Sequence, residues 1–368
     1  MKQGRFQRTG KGSFYGEYLY DRIVPQDHFL RKLRELVPWQ KFDYKLLKYY
    51  KGKAKSGRPP IEPCLVLKML VLSYLYDLSE RQTEAFCNEN LPAKYFLGLA
   101  IDEPAPDHST LSAFKRRILE NGRITAFQRL LQAVVSTAQE AGVEFGPVQI
   151  IDSTHSIADV NTQKDDRRQA RGHSPRDPNA HWGAKHSYKV RDEQGKTHTR
   201  TEYFFGDKAH VSFNAEAQMI TSVIVSPGNR PDGGFLPRLV DSDLDLGLDV
   251  QIVVADRGYD DSNNHVFLQS LGIHNAINLR TIRTKKKDPN KQVWLELKAQ
   301  PWYESSLSKR YIIERKFGEA KKYHGLGRCR YLGLVRYAVQ AYMTAIALNL
   351  KRLVRLLTGV PFKAPVYA

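Results

Sequence analysis

The hydrophobic pattern of this chain changes near residues 142–147, and that change limits the folds available to it. Before it, apolar residues recur at helical spacing, as in Phe29, Leu30, Leu33 and Leu36. After it, short apolar runs typical of strands come first and then alternate with helical stretches. Such an order of elements indicates an α/β layer structure with a mixed sheet. The sequence therefore predicts an α/β domain preceded by an all-helical N-terminal domain.

Five strands are predicted in the second part of the chain: Val148–Ile151, Thr201–Phe205, Ile220–Val225, Val250–Ala255 and Ala276–Leu279. Helices are predicted there over Asp232–Asp243, Ser262–Leu271, Glu304–Tyr323 and Val335–Leu356. Two polar stretches, Asn161–Lys185 and Thr281–Gln300, indicate surface excursions. Together these elements predict a mixed five-stranded sheet flanked by helices.

The expected domain boundaries follow the same change of pattern. Residues 1–25 are basic and lack periodicity, which predicts an arm over the surface or along DNA. Residues 26–142 form the predicted helical domain. Residues 143–358 form the predicted α/β domain, with a basic insertion at about 281–303 and a tail at 359–368. A helix-turn-helix unit that meets DNA and a plain helical bundle with solvated basic residues explain the helical domain equally well.

The charge balance favours a polyanionic partner. The chain has 57 Lys and Arg against 39 Asp and Glu, a formal net charge of +18. A basic protein that is merely soluble or ribosome-associated has the same composition, so charge alone does not decide. Apolar stretches such as Cys64–Tyr76 are too short and too interrupted by lysine to cross a bilayer. The start of the chain has no signal-peptide core, and three cysteines without metal-ligand spacing suit a reducing cytoplasm.

Two aspartates stand where predicted buried strands end. Asp152 follows the first strand, and Asp256 follows Val250–Ala255 and precedes Gly258, which permits a sharp turn. Ligand sites of open α/β sheets lie at the carboxyl ends of strands, so the two aspartates share one site if their strands are neighbours. Carboxylate oxygens suit Mg²⁺, and two such ions can clamp the reacting oxygens of a phosphodiester. Each aspartate taken alone is better explained as a helix N-cap or turn residue.

A third carboxylate lies on a predicted helix among basic residues. Arg310, Glu314 and Lys321 lie at positions i, i+4 and i+11, which places them on one helix face. That spacing suits a metal-binding glutamate beside two phosphate-binding cations, or alternatively a solvated face with ion pairs. Glu319 is a competing carboxylate, but it points away from this face by roughly half a turn.

The ordered set of these motifs resembles the DDE transposases of bacterial insertion sequences. The segments around Asp152 and Asp256 resemble the first and second aspartate motifs of that family. Arg310, Glu314 and Lys321 match three positions of its third motif, whereas Leu307 stands where the family has tyrosine. The strand that contains Gly206–His210 is also similar, with Asp207 at a position that is usually aromatic, and the helical N-terminal part is similar to the N-terminal domain of these enzymes.

The resemblance implies an RNase H-like catalytic core that binds the terminal inverted repeats of its element, cleaves DNA strands and transfers them to target DNA. It implies two Mg²⁺ or Mn²⁺ ions held by Asp152, Asp256 and Glu314, and phosphate contacts from Arg310 and Lys321. Further DNA contacts are expected from Arg257 and from the basic segment with Lys285, Lys286 and Lys287, because residues 280–322 contain 13 basic and 5 acidic side chains.

The expected partners are duplex DNA at transposon ends and target sites, and at least a second copy of the chain for synapsis. The expected location is the cytoplasm of a bacterium, at the nucleoid and away from any membrane. Two alternatives stay open: a catalytically inert DNA-binding relic, and a nuclease on the same core that cuts without strand transfer.

Overall fold

The computed structural model describes residues 6–7, 9–10, 14–50, 59–285 and 288–362. By its internal contacts the chain divides into two compact units. The helical unit comprises residues 1–143 and 343–368, and the sheet unit comprises residues 144–342. The domain boundaries inferred from the sequence stay predictions. No described helix is both long enough and apolar enough to span a membrane.

The helical unit is built from short helices before residue 143 and from the end of the last helix of the chain. Its elements are α1 (Phe14–Ile23), α2 (Phe29–Leu36), α3 (Trp39–Leu47), α4 (Pro63–Leu75), α5 (Glu80–Glu89), α6 (Leu91–Leu97), α7 (His108–Gly122), α8 (Thr125–Glu140) and the residues of α15 (Leu334–Thr358) from 343 onward. The prediction of an all-helical N-terminal region is therefore confirmed.

Helix α4 is the centre of the helical unit. It is apolar all round and almost wholly buried, and α3, α5, α6 and α7 pack against it. Helix α5 begins at a capping box in which Ser79 and Gln82 satisfy each other's backbone N–H groups. Helix α1 lies within the segment predicted as an irregular arm, and buried Tyr20 on it donates a hydrogen bond to the Leu99 carbonyl at 3.0 Å.

The sheet unit contains one mixed sheet. Its strands are β1 (Val148–Ile157), β2 (His181–Arg191), β3 (Thr197–Asn214), β4 (Met219–Pro227), β5 (Ile252–Ala255) and β6 (His274–Ile277). The order is β2-β3-β1-β5-β6, and β4 also pairs with β3. Strands β1, β5 and β6 are parallel, whereas β3 is antiparallel to β1, β2 and β4. The predicted mixed sheet is confirmed, but over the residues that the structure describes it has six strands rather than five.

The unpredicted strand is β2, which begins inside Asn161–Lys185, a stretch for which the sequence indicates a surface excursion. That stretch also contains helix α9 (Thr162–Gln169). Strand β2 was missed because most of its described side chains are exposed, so it lacks the buried apolar alternation that identifies a strand. The pairing of β2 with β3 ends at Gly206. At the same residue, the pairing of β1 with the opposite edge of β3 begins. A Cβ at Gly206 would stand 2.0 Å from the Ser156 carbonyl oxygen, so only glycine fits between the strands.

Helices cover the sheet. They are α9 and α10 (Leu236–Asp245), α11 (Ser262–Ser270), α12 (Lys291–Lys298), α13 (Pro301–Leu307), α14 (Tyr311–Tyr323) and the start of α15. Residues of β1, β5, β6, α10, α11 and the segments next to these elements form one apolar cluster: Ile151, Leu236, Leu239, Val240, Leu248, Val250, Val253, Ala255, Tyr259, Leu268, Ile273 and Ile277. Buried Tyr303 of α13 donates a hydrogen bond to the Ile277 carbonyl at 2.7 Å, which anchors that helix to β6.

Two helices of the sheet unit differ from prediction. The expected helix Glu304–Tyr323 is interrupted by a 3₁₀ turn at Ser308–Arg310 between α13 and α14. The basic stretch Thr281–Gln300 is not wholly irregular, because it contains α12. Trp294 of α12 is buried, with the Arg283 guanidinium 4.8 Å from its ring centroid, so this helix packs through an aromatic side chain rather than through an apolar stripe.

Candidate active site

Asp152 lies inside strand β1, one residue beyond the point where the strand was predicted to end. The strand continues to Ile157 because β3 pairs with it as far as Gly206. The Asp152 carboxyl is buried, and its Oδ1 accepts a hydrogen bond from the Ser153 backbone N–H at 2.8 Å. Rigid strand backbone on both sides therefore fixes the first of the predicted carboxylates.

Asp256 follows β5 directly, as predicted. Its side chain caps a 3₁₀ turn at Arg257–Tyr259 by accepting the Gly258 backbone N–H at 2.7 Å. A Cβ at Gly258 would lie 2.9 Å from the Asp256 Oδ1, so the glycine permits this close approach. The turn directs the chain away from the sheet and leaves the carboxylate half-buried at its end.

The register of the parallel strands brings the two aspartates together. Ile151 of β1 pairs with Ala255 of β5, so Asp152 and Asp256 are the next residues on neighbouring strands. Their charges act on each other. Burial, and after it the charge of Asp256, raise the pKa of Asp152 to about 7. Burial is also the main cause that raises the pKa of Asp256. The structure thus confirms that the two predicted strands are neighbours.

Arg310 connects the first and third carboxylates. It is the last residue of the 3₁₀ turn before α14, and its Nη1 donates to Asp152 Oδ2 at 3.0 Å. Its Nη2 donates to Glu314 Oε1, one helical turn further along. Glu314 is exposed, with 52% of its side chain accessible. The competing carboxylate, Glu319, is paired with Lys316 at 2.8 Å instead.

The carboxylate oxygens of this site are suitable ligands for a hard divalent cation. Their arrangement, however, provides only part of a metal-binding group. Asp152 and Asp256 offer carboxylate oxygens side by side, and a cation between them would relieve their repulsion. Within the described parts of the chain, however, no three Asp, Glu, His or Cys side chains gather into a group that could hold a metal. Glu314 is engaged by Arg310 and does not complete such a group.

The other residues predicted to contact DNA surround this site to different extents. Lys321 of α14 is partly buried, and burial followed by the charge of Lys185 lowers its pKa. Arg257 is exposed beside Asp256, with its Nε 3.5 Å from the Asn278 Oδ1. Lys285 is exposed at the end of the 3₁₀ turn Thr281–Thr284. The remaining two predictions, Lys286 and Lys287, lie outside the described residues.

Asp232 is an acidic residue near the site that sequence reasoning missed. It precedes a 3₁₀ turn at Gly233–Phe235 and accepts a hydrogen bond from Lys208 Nζ of β3 at 2.9 Å. Its Oδ2 lies 3.6 Å from the position of a Cβ on Gly258, and its charge contributes to raising the pKa of Asp152 and of Asp256. Asp232 lies well after the end of the predicted strand Ile220–Val225, and the pattern predicts the start of a helix there, so the sequence contained no signal that this residue belongs to the site.

Cations gather around His155, three residues beyond Asp152 on β1. Burial, and after it the charges of Lys321, Lys185 and Lys208, lower the pKa of His155 to about 4. The imidazole is therefore neutral near pH 7 and packs against the Phe204 ring, with 4.6 Å between ring centroids. Three lysines from β2, β3 and α14 thus create a positive region beside the carboxylates, which favours a phosphate-bearing ligand.

A mixed sheet with one aspartate inside its central strand β1 and another directly after the parallel neighbour β5, flanked by helices, defines an α/β core of the RNase H-like class. The family description "Transposase DDE domain" matches residues 144–350, and "Transposase domain (DUF772)" matches residues 18–117. Because the first match spans more than half of the chain, the chain belongs to the DDE transposase-domain family. The resemblance inferred from the motifs is confirmed.

Solved structures of transposase complexes are also similar, at low levels. The piggyBac transposase synaptic complex with hairpin DNA shares 10% identity over 96% of this chain and 78% of that chain, with a TM-score of 0.38. The pre-cleavage Mos1 transpososome shares 10% identity over 83% of this chain and 82% of that one, with a TM-score of 0.20. A third, the Mos1 mariner paired end complex with Mn, shares 12% identity over 86% of this chain and 92% of that one, with a TM-score of 0.21. Because these TM-scores are low, the structural similarities do not support the family assignment, which rests on the two domain matches.

Proposed function

We propose that this transposase binds the terminal inverted repeats of its element and catalyses metal-dependent DNA strand cleavage and strand transfer. The observation that carries the proposal is the adjacency of Asp152 and Asp256 on paired parallel strands, with Arg310 connecting Asp152 to Glu314. A protein that only occupied DNA would have no use for two mutually repelling acids, one buried and one half-buried, at a sheet edge.

In this proposal Asp152, Asp256 and Glu314 hold two Mg²⁺ or Mn²⁺ ions, which stabilise charge on the phosphodiester and activate the attacking oxygen. The strand register keeps the first two carboxylates in place, since both are fixed by backbone hydrogen bonds. For Glu314 to join them, the Arg310 guanidinium must release it. A DNA phosphate is a suitable new partner for that guanidinium, because it offers the same bidentate geometry as a carboxylate.

The proposed DNA contacts are made by cations around the carboxylates. In this proposal Arg310, Lys321 and Arg257 flank one DNA strand at the site, and the basic segment with Lys285, Lys286 and Lys287 extends the contact along the backbone. These contacts should be independent of base sequence and sensitive to salt. Recognition of the inverted repeats then falls to the helical unit, and synapsis requires at least two copies of the chain, which would act at the nucleoid.

A strand-transfer assay separates this proposal from its alternatives. A pre-cleaved donor end is incubated with target DNA, the protein and Mg²⁺ or Mn²⁺. Joined product is expected, and it should disappear with Asp152→Asn. Hydrolysis without joining would instead identify a nuclease, and binding without either reaction would identify an inert relic. The matched control is Asp245→Asn, which changes an exposed aspartate of α10 in the same unit.

A further inference from the structure

The hairpin formed by residues 181–205 extends beyond the sheet. This hairpin, called the ribbon below, contains β2, the turn after it and the first part of β3. Strand β1 pairs with β3 only from Gly206 onward and β4 only from Asp207 onward, so neither backs the ribbon. Most described side chains from Lys185 to Arg200 are exposed, on both faces. Two-stranded hairpins are marginally stable alone in water, so a surface of this kind is suited to being covered by a partner.

The ribbon presents cations rather than a balanced charge. It has five basic residues, Lys185, Lys189, Arg191, Lys196 and Arg200, and three acidic ones, Asp192, Glu193 and Glu202. Two of these acids are already engaged, because Asp192 bonds the turn and the His198 ring and Glu202 pairs with Lys185. Within the described part of the chain, no carboxylate forms an ion pair with Lys189 or Arg200. The exposed faces are therefore positively charged.

Strand pairing distributes these cations over both faces. Tyr188 pairs with Arg200 on one face, and Lys189 pairs with Thr199 on the other. The Ser187 and Thr201 hydroxyls, 2.7 Å apart, share the second face with Lys189. Cationic and hydroxyl side chains are the groups that most often contact DNA phosphates. A two-stranded ribbon also fits the major groove, which is about 12 Å wide.

The base of the ribbon adjoins the candidate active site. Phe204 packs against the His155 ring at 4.6 Å, and His155 is three residues from Asp152 on β1. Exposed Trp182 and Tyr203 lie on the ribbon face opposite Phe204 at the same level. The ribbon therefore begins next to the candidate active site, with exposed aromatic side chains at its base.

We propose that the ribbon is a DNA-binding arm that lies along duplex DNA next to the strand being cut. The choice of DNA as its partner rests on the proposed function, and charge complementarity argues for it over a second copy of this basic chain. At about 3.3 Å per residue, the strand from Lys185 to Arg191 spans roughly 20 Å, more than half a turn of DNA.

Site-specific cross-linking tests the placement of DNA. Cys64, Cys87 and Cys329 are buried, so a photo-cross-linker attached to an introduced thiol reports on its own position. Thr199→Cys places the probe on the ribbon, and Gln169→Cys on α9 is the exposed control. In an Asp152→Asn background, which prevents cleavage, cross-links to a duplex of unrelated sequence are expected from position 199 and not from position 169. Equal yields at both positions, no DNA adduct at 199, or adducts to a second protein chain would overturn the proposal.

The salt dependence of binding tests the contribution of the cations. Replacing Lys189, Arg191 and Arg200 together by Gln should reduce the slope of log affinity against log salt by about 2.7, at roughly 0.9 per lost phosphate contact. Replacing Lys164, Arg167 and Arg168 of α9 by Gln removes the same charge from another exposed surface and should leave the slope near its original value. Both melting temperatures should be unchanged, because all of these side chains are exposed. The same slope in the two variants would contradict a ribbon-specific contact.

These measurements separate the ribbon from the proposed chemistry. Binding to a duplex of unrelated sequence requires no cleavage, no strand transfer and no inverted repeat. If strand transfer is absent but position 199 still cross-links to DNA, the ribbon proposal stands and the proposed reaction fails. If strand transfer occurs without DNA cross-links at position 199, the reaction stands and the ribbon proposal fails.

Discussion

Acidic side chains of the helical unit and those at the edge of the sheet have opposite electrostatic surroundings. In the helical unit, the His108 ring and backbone N–H both bond Glu84, at 2.8 and 2.9 Å, and these hydrogen bonds lower the pKa of Glu84. Asp107, the N-cap of α7, has a pKa lowered mainly by its hydrogen bond with the Ser109 hydroxyl. These carboxylates are ionised, they have hydrogen-bond partners, and they stabilise local structure.

At the sheet edge the carboxylates lack such compensation. The pKa of Asp152 is raised to about 7 although Arg310 bonds it, because burial and the charge of Asp256 act in the opposite direction. A raised pKa alone does not identify a functional acid, since buried Asp243 also has a pKa raised to about 7 and accepts the Ser212 hydroxyl at 2.5 Å. The acids that we propose to be functional are the ones that combine a raised pKa with a second acid alongside and an open sheet edge.

The largest expected effect that tests this comparison is the loss of catalysis on Asp152→Asn or Asp256→Asn. Each substitution keeps the shape of the side chain and removes the charge that a divalent ion requires. Metal ions supply several kcal/mol of transition-state stabilisation, so strand cleavage should fall by about a thousandfold or more. Gel-based cleavage of labelled duplex DNA measures it, with Asp245→Asn as the control. If strand cleavage persisted in both variants, the acids at the sheet edge would not differ in function from those of the helical unit.

Metal binding in the absence of DNA is the next effect in size. A ligand at about 100 times its dissociation constant raises the free energy of unfolding by about 2.7 kcal/mol. Mg²⁺ or Mn²⁺ should therefore raise the melting temperature of the wild-type protein and of Asp245→Asn, and should not raise that of Asp152→Asn. Calorimetry of each variant with and without metal gives the answer. A metal-induced increase that persisted in Asp152→Asn would place the ion elsewhere.

The part of the fold that the sequence revealed is the part with buried periodic patterns. The stretches that precede Asp152 and Asp256 are nearly continuous apolar runs, and the rule that ligand sites lie at strand ends predicted one shared site on the condition that the two strands are neighbours. Strand β2 escaped notice because its exposed side chains carry no apolar alternation. The break before α14 also escaped notice, since Ser308–Arg310 contains no proline or glycine to mark it.

The part of the site that the sequence revealed is limited in the same way. Spacing correctly indicated that Arg310 and Glu314 lie on one face, because i and i+4 neighbours meet on any helix. Spacing gave no sign that Arg310 would also reach Asp152, 158 positions away in the chain. The position of Asp232 beside Gly258 is likewise a tertiary contact that no local pattern encodes.

The Asp207→Asn substitution sharpens the comparison within the sheet unit. Asp207 is buried, and burial, with a contribution from the charge of Asp177, raises its pKa to about 7. A carboxyl whose pKa is raised on folding stabilises the folded state at low pH. This contribution is lost as the pH rises toward the pKa that the group has in the folded state. The stability of Asp207→Asn relative to wild type should therefore increase by up to about 1.4 kcal/mol per pH unit between about pH 4 and 7, and level off above that.

Denaturant titrations at several pH values measure the Asp207→Asn effect, with exposed Asp245→Asn as the matched control. The control should show no comparable dependence on pH. If the difference in free energy of unfolding between Asp207→Asn and wild type did not change with pH, Asp207 would be solvated or paired in solution. Burial would then not make Asp207 behave differently from the acids of the helical unit.

The smallest expected effect is that of Glu84→Gln in the helical unit, and its sign is opposite. The substituted amide can still accept the His108 backbone N–H through its oxygen, so only the charge is lost. Because the folded pKa of Glu84 is lowered, its contribution to stability is present above the unfolded value of about 4.3 and disappears as pH falls below it. Glu84→Gln should therefore be slightly less stable than wild type at neutral pH and indistinguishable from it in acid, as thermal melts can show. The control is Glu120→Gln, which changes an exposed side chain of α7 whose 3.9 Å contact with Arg116 contributes little. A deficit that grew in acid would give Glu84 the behaviour of the sheet-edge acids and would abolish the contrast between the two regions.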